Sequence, residues 1–151
     1  MQHRLAAGVI VEDQGRILMV RHVLPGKYDF WVAPGGGVQG TEELAAAAIR
    51  EVREESGIHV EVDQIAYIEE LIQPDLRQCK FWFTGRMIGG ALNAQGQDAV
   101  AEHITEAAWL TLSEIQAKQV FPPVLVSRYW EDKAKGNKAT VHLGIRKMEF
   151  W

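Results

Sequence analysis

Residues 31–58, WVAPGGGVQGTEELAAAAIREVREESGI, determine how the rest of the chain can be interpreted. A glycine-rich turn at residues 33–37 precedes a stretch with four consecutive alanines, which favour a helix at little cost in side-chain entropy. Gly57 follows as a residue type that commonly ends helices. We therefore predict a loop and then a helix over residues 41–56, with Thr41 as its N-cap.

Three carboxylates lie close together in the second half of this helix. Glu51, Glu54 and Glu55 are three and four positions apart, so we expect them to project toward one patch. An acidic run is often only a solvated helix face. The glycine turn beside it favours a metal site instead, because glycine lets the backbone approach a ligand closely and carboxylate oxygens suit Mg²⁺ or Mn²⁺.

The same stretch resembles the Nudix box, the signature of the Nudix hydrolases. The matching positions are Gly36, Glu42, Arg50, Glu51, Val52, Glu54, Glu55, Gly57 and Ile58. The resemblance implies an enzyme that hydrolyses the diphosphate linkage of a nucleoside diphosphate derivative. It also implies the Nudix fold, an α/β (α+β) architecture in which a mixed β-sheet lies between α-helices.

The resemblance also assigns roles to individual residues. The expected ligands of Mg²⁺ or Mn²⁺ are Glu51, Glu54, Glu55 and a backbone carbonyl of Gly35 or Gly36. Arg50 is expected to orient the carboxylates through a bidentate contact, and it joins Glu51 and Glu54 as a catalytic residue. Glu42 is expected near the substrate as an anchor of the loop. Its other interpretation, a glutamate that only favours the helix dipole, stays open.

One more carboxylate is implied by the resemblance, from a distant loop, as a metal ligand or a general base. The candidates lie within residues 98–106, which precede Trp109. Glu102 is the first choice, Glu106 the second and Asp98 the third, and an ordinary surface position is the alternative for Glu102. The composition of the preceding residues predicts that the loop is mobile before substrate binds.

Substrate contacts are predicted from residue type alone. The cations that could contact phosphate, or could be ordinary exposed strand charges, are Arg21, Arg77 and Lys80. The aromatic residues that could stack on a base, or could belong to the core, are Tyr28, Phe30, Trp31, Trp82 and Phe83. Pro74 either ends a strand or marks the branch of the family that cleaves ADP-ribose. We favour ADP-ribose or a nucleotide sugar, with a nucleoside triphosphate pyrophosphatase and a non-catalytic nucleotide sensor as alternatives.

Composition narrows the class of protein. The 151 residues predict a single domain, residues 1–151, and a net charge of −4 gives no reason to expect nucleic-acid binding. The one cysteine, Cys79, excludes an internal disulfide, is expected to be buried and inert, and fits a cytoplasmic protein. The sequence contains neither a signal peptide pattern nor an apolar run of the ~20 residues needed to span a membrane. A homodimer is possible.

Hydrophobic patterns predict the remaining elements. The strands are expected at residues 5–11, 16–21, 30–32, 59–71, 77–87, 104–112 and 140–150. A short helix is predicted to end at Ala117, and a longer one is predicted over residues 124–135 after two prolines. Residues 89–98, which are rich in glycine, are predicted to form a flexible loop.

Overall fold

The computed structural model describes residues 1–150. The strands are β1 (Gln2–Asp13), β2 (Arg16–Leu24), β3 (Tyr28–Val32), β4 (Gly35–Gly37), β5 (Ile58–Gln73), β6 (Leu76–Gly90), β7 (Ile104–Thr111), β8 (Val120–Phe121) and β9 (Val141–Lys147). The helices are α1 (Leu44–Ser56), α2 (Gln97–Ala101), α3 (Leu112–Gln116), α4 (Tyr129–Ala134) and a 3₁₀ helix at Pro123–Val126. No helix among the described residues is long and apolar enough to cross a membrane.

The strands form a mixed, curled sheet with two connected parts. In the first part, β1 pairs antiparallel with β4 and parallel with β6, and β5 pairs antiparallel with β6 and parallel with β9. In the second part, β2 lies between β3 and β7, both antiparallel, and β8 extends β3 in parallel. The β1–β2 hairpin joins the two parts through the pair Asp13 and Arg16.

The central strand β1 is buried on both faces, which explains its continuous apolar run. On one face, Val9 packs in a core cluster with Ala48 and Val52 of α1. On the other face, Ile10 packs in a second cluster with Trp82 of β6. Since successive strand residues point to opposite faces, one strand supplies both clusters.

The second cluster is closed by the C-terminal helices. Ile115 of α3, Leu125 of the 3₁₀ helix and Tyr129 of α4 are all buried in it. Helices therefore cover both faces of the mixed sheet, and the predicted fold class is confirmed.

The predicted start of the first helix was wrong. The helix begins at Leu44 instead of residue 41, and its N-cap is Glu43, whose side chain makes no capping bond. Thr41 lies outside the helix because the preceding residues form a turn, in which the Gln39 N–H donates to the Glu42 carboxylate at 2.8 Å. The predicted end at Gly57 is confirmed, with a positive φ of 77° that suits glycine.

Other boundaries also differ from the prediction. The helix expected over residues 124–135 is divided into the 3₁₀ helix and α4, because Ser127 leaves helical geometry with φ −125° and ψ −102°. The glycines at 35–37 form the short strand β4 instead of a free loop. Residues 89–98 include the end of β6 and the start of α2, so they are a loop only in part. The terminal strand is shorter than residues 140–150.

Two residues with open interpretations have ordinary structural positions. Pro74 and Asp75 form the two-residue turn between β5 and β6, where Asp75 adopts a positive φ of 61°. This turn accounts for Pro74 without any role in substrate choice. Cys79 is half-buried instead of fully buried, and burial raises the pKa of its thiol, which favours the protonated form.

Candidate active site

The glycines of β4 are required because the acidic end of α1 packs directly against their backbone. The Gly35 N–H donates a hydrogen bond of 2.7 Å to Oε1 of Glu55. A Cβ atom at Gly36 would lie 2.6 Å from the carboxyl carbon of Glu51, which is closer than real side chains approach. The glycine turn therefore packs directly against the two glutamates, and the pairing of β4 with β1 fixes the position of the turn.

Arg50 connects the charged residues of this region. Its Nη2 and Nε atoms donate to the two oxygens of Glu42 at 2.7 and 3.1 Å, and Nη2 also donates to the Gly37 carbonyl at 3.0 Å. Nη1 donates to Glu51 at 2.9 Å and to Glu54 at 3.0 Å. These bonds raise the pKa of Arg50 and lower that of Glu42. Glu42 is thus an anchor that joins the loop before α1 to the helix.

Three carboxylates converge beside Arg50. One oxygen each from Glu51, Glu55 and Glu102 lies within 4.8 Å of the others. Glu51 and Glu55 are 5% and 2% exposed, whereas Glu102 is exposed. Neither Asp98 nor Glu106, the other two candidates, belongs to this group, and Glu106 instead lies 3.6 Å from Arg21.

Glu102 reaches the group from the end of α2, a helix that the sequence did not reveal. The buried side chain of Ala99 packs with Val20 and Ile104 and holds α2 against the sheet. The backbone carbonyl of Glu102 lies 3.1 Å from Nδ1 of His22. The expected loose loop is therefore a helical turn with several contacts, while its mobility stays a prediction.

Glu54 occupies a different position from the one expected. Successive residues of a helix are rotated by about 100° around its axis. Viewed along the axis, Glu54 and Glu55 therefore point to opposite sides of Glu51. Glu55 projects under β4, whereas Glu54 projects outward and bonds to Arg50. The converging group contains Glu51 and Glu55 but not Glu54. Its predicted roles as ligand and catalytic residue stay predictions, as does the carbonyl ligand of Gly35 or Gly36.

The electrostatics of the converging group suit a cation. Burial raises the pKa of Glu51 and raises that of Glu55 well above its usual range, and the charge of Glu102 adds to both effects. Arg50 and the Gly35 N–H oppose these shifts only in part. Three hard oxygen donors that repel one another fit a divalent cation such as Mg²⁺ or Mn²⁺, which would compensate their charge.

The predicted substrate contacts are dispersed. Arg21 is held by Asp29 through hydrogen bonds of 2.9 and 2.7 Å, and Arg77 is paired with Glu70. Trp31 is a core residue, 8% exposed, and Trp82 is fully buried. The structure thus brings none of these four side chains into the carboxylate group, and their substrate roles stay predictions.

A cavity that none of the three carboxylates lines is formed mostly by residues that were not singled out from the sequence. Its lining includes Phe30, Glu69, Gln78, Lys80, Phe121 and Phe150. The alternation of Gln78, Lys80 and Trp82 along β6 is the one signal that could have indicated it, because such residues face the same side of a strand. Phe121 and Phe150 come from distant segments and had no such signal.

Similarity to known proteins identifies the family. The family model described as the NUDIX domain matches residues 1–128. The chain belongs to the Nudix family. Nudix hydrolases act on pyrophosphate bonds, and the fold and resemblance predicted from the sequence are confirmed.

The sequence relatives include several kinds of Nudix protein. A MutT-like protein of Streptomyces ambofaciens is 30% identical over 112 residues, which are 74% of this chain and 66% of that protein. The Nudix hydrolase YfcD of Escherichia coli K12 is 33% identical over 131 residues, covering 78% and 64%. The human 8-oxo-dGDP phosphatase NUDT18 is 31% identical over 101 residues, covering 67% and 30%. The chain spans less than two thirds of the length of these relatives.

Solved structures show the same fold at lower identity. A NUDIX hydrolase from Nitrosomonas europaea has a TM-score of 0.74 and 21% identity, covering 90% of this chain and 91% of that one. An ADP-ribose pyrophosphatase from Streptococcus suis has a TM-score of 0.67 and 16% identity, covering 95% and 98%. At these identities the likeness concerns architecture, not substrate.

Proposed function

We propose that this protein is a Mg²⁺- or Mn²⁺-dependent pyrophosphohydrolase that cleaves the diphosphate linkage of a nucleoside diphosphate derivative. The observation that carries the proposal is the convergence of one oxygen each from Glu51, Glu55 and Glu102 within 4.8 Å. Two of these carboxylates are buried, and the hydrogen bonds from Arg50 and from the Gly35 N–H compensate their charge only in part.

The chain's own residues prepare the reaction. Glu51 and Glu55 would hold the cation, while Arg50 fixes the rotamer of Glu51 and the Gly35 N–H fixes that of Glu55. When bound, a divalent cation neutralises phosphate charge and lowers the pKa of a coordinated water. Glu102 is exposed and reaches the same point, so it is the group placed to accept a proton from the attacking water.

Two kinds of substrate remain candidates within this class. The preference for ADP-ribose or a nucleotide sugar depended on Pro74, which the β5–β6 turn already explains. Relatives in sequence are named RNA pyrophosphohydrolase and 8-oxo-dGDP phosphatase, and a neighbour in fold is named ADP-ribose pyrophosphatase. We keep ADP-ribose or a nucleotide sugar as the first proposal and a nucleoside triphosphate as the second. A cytoplasmic location and a homodimer stay predictions.

A substrate panel tests the proposal. ADP-ribose, a UDP-sugar, ATP and dGTP are incubated separately with the protein and Mg²⁺, and the products are separated by charge. A nucleoside monophosphate with a sugar phosphate would select the first substrate class, and a monophosphate with pyrophosphate the second. EDTA and Glu51→Gln are the controls, and both should stop turnover. Binding without any product would identify a non-catalytic sensor and overturn the proposal.

A further inference from the structure

The three cations predicted to contact phosphate differ sharply in their surroundings. Arg21 and Arg77 have side chains that are 39% and 42% exposed, and each is paired with a carboxylate. Lys80 is only 8% exposed, yet no hydrogen bond or ion pair to its ammonium group occurs among residues 1–150. A buried ammonium has three donors, and leaving them without partners is costly.

The Lys80 side chain lines the cavity. No fully enclosed side-chain nitrogen or oxygen in the described part of the chain lacks a hydrogen-bond partner. Since Lys80 has none, its Nζ is not fully enclosed. Nζ lies 4.3 Å from the centre of the Trp82 ring, a cation–π contact that supplies no hydrogen-bond acceptor.

The charges of three carboxylates act on Lys80. Glu55 and Glu51 belong to the converging group, whereas Glu69 lines the cavity together with Lys80. Glu69 is already satisfied, because it accepts from Trp82 Nε1 at 3.0 Å and from Arg146 at 3.2 Å. Lys80 therefore joins the proposed cation site to the cavity without being the ion-pair partner of either.

The cavity that Lys80 lines has an aromatic wall. The Phe30 ring stacks on Phe150, with centroids 5.2 Å apart, and meets the edge of Phe121 at 5.5 Å. Gln78 is 8% exposed and also makes no side-chain hydrogen bond among residues 1–150, so its amide faces the same space with a donor and an acceptor. A flat ring with polar edges, such as a nucleobase, matches this lining.

We propose that Lys80 binds the phosphate nearest the nucleoside while the base lies in the adjoining aromatic cavity. The inference rests on the proposed function and orients its substrate, with the nucleoside beside Phe30 and the diphosphate extending toward Glu51 and Glu55. A phosphate supplies the acceptors that the ammonium group lacks. The alternative, that Lys80 only offsets the charge of the buried glutamates, requires no ligand.

Binding without metal separates these two roles. In EDTA, the affinities of AMP, GMP, CMP and UMP and of their parent nucleosides are measured by calorimetry. The wild type should bind at least one monophosphate at least about 10-fold more tightly than its nucleoside. Lys80→Met should weaken the monophosphate by about 10- to 100-fold and leave the nucleoside unchanged. Lys80→Arg should restore most of the loss.

Arg86→Met is the matched control, since Arg86 lies on the same strand but is exposed and paired with Glu61. It should leave both affinities unchanged. Equal losses for monophosphate and nucleoside in Lys80→Met, or no loss at all, would overturn the inference. So would a wild type that does not prefer any monophosphate, a result that needs no variant to be folded. If no compound of the substrate panel is hydrolysed but the monophosphate still binds as expected, the hydrolase proposal is refuted and the inference about Lys80 is not.

Discussion

Helices α1 and α4 both carry clustered acidic residues, but only in α4 does every acidic residue have a cationic partner one turn away. In α4, Asp132 is bonded by Arg128 at 2.7 Å, and Glu131 is bonded by Lys135 at 2.9 Å, each partner one turn away. In α1, Glu55 has a single hydrogen bond, from a backbone N–H, among the described residues.

The two clusters respond to their surroundings in opposite ways. Hydrogen bonds from cations lower the pKa of Glu131 and that of Asp132. Burial raises the pKa of Glu51 and that of Glu55. An acidic run is therefore not informative in itself. What distinguishes a candidate cation site is that its carboxylates are buried, converge and lack enough cations of their own.

The largest expected effect is on turnover. Glu51→Gln and Glu55→Gln should each abolish hydrolysis of whichever diphosphate compound the wild type cleaves, because each removes a charged oxygen ligand. Glu131→Gln on α4 should leave turnover unchanged. Steady-state rates with Mg²⁺, together with circular dichroism to confirm folding, measure this. Near-normal activity in both α1 variants would contradict the metal-site assignment.

The next effect concerns the third carboxylate. Glu102→Gln should lower kcat by about 10²–10⁴-fold with little change in KM, because a general base acts mainly in the transition state. Glu106→Gln is the matched control, since Glu106 faces Arg21 and lies outside the converging group. A larger loss in Glu106→Gln would mean that the wrong carboxylate has been identified.

Metal binding should also be visible as stability. A ligand that binds only the folded state at a hundredfold excess over Kd stabilises it by about 2.7 kcal/mol. For a chain of this size, that corresponds to a rise in Tm of roughly 5–10 °C. Mg²⁺ should produce the shift in the wild type and in Glu131→Gln but not in Glu55→Gln, and EDTA should reverse it. Equal shifts in all three proteins would place the metal elsewhere.

The smallest effect is a pair of opposite pH slopes in the metal-free protein. A raised pKa at Glu55 contributes stability at acid pH that is lost as pH rises through the folded-state pKa. The stability of Glu55→Gln relative to the wild type should therefore increase as pH rises. A lowered pKa at Asp132 contributes stability at pH values above the ordinary pKa of an aspartate. The stability of Asp132→Asn relative to the wild type should therefore decrease as pH rises.

Thermal unfolding in EDTA between about pH 3 and pH 8 measures both differences, because the Asp132 contribution is lost below about pH 5 and the Glu55 contribution is lost above it. Slopes of the same sign would show that the two clusters are electrostatically alike. The comparison of α1 with α4 would then have no physical basis.

Much of the cation site was predictable because it is local in sequence. Glu51 and Glu55 are one helical turn apart, and the glycines that accommodate them precede the same helix. Glu102 was selected from three candidates through the family resemblance, but its helical setting in α2 was not expected. Sequence spacing also grouped Glu54 with Glu51 and Glu55, because spacing does not show which side of a helix is covered by a neighbouring strand. The structure leaves Glu54 outside the converging group, and its role as a ligand stays a prediction.

The sequence by itself determined the family, the mixed fold, the helix with its glycine turn and the acidic residues on it. These features depend on backbone propensity and short-range periodicity, which operate within a few turns of chain. Only the tertiary structure decided which cation remains unpaired. Arg21, Arg77 and Lys80 are equivalent as strand residues. The sheet places carboxylates beside the first two, whereas Lys80 is buried and lines the aromatic cavity.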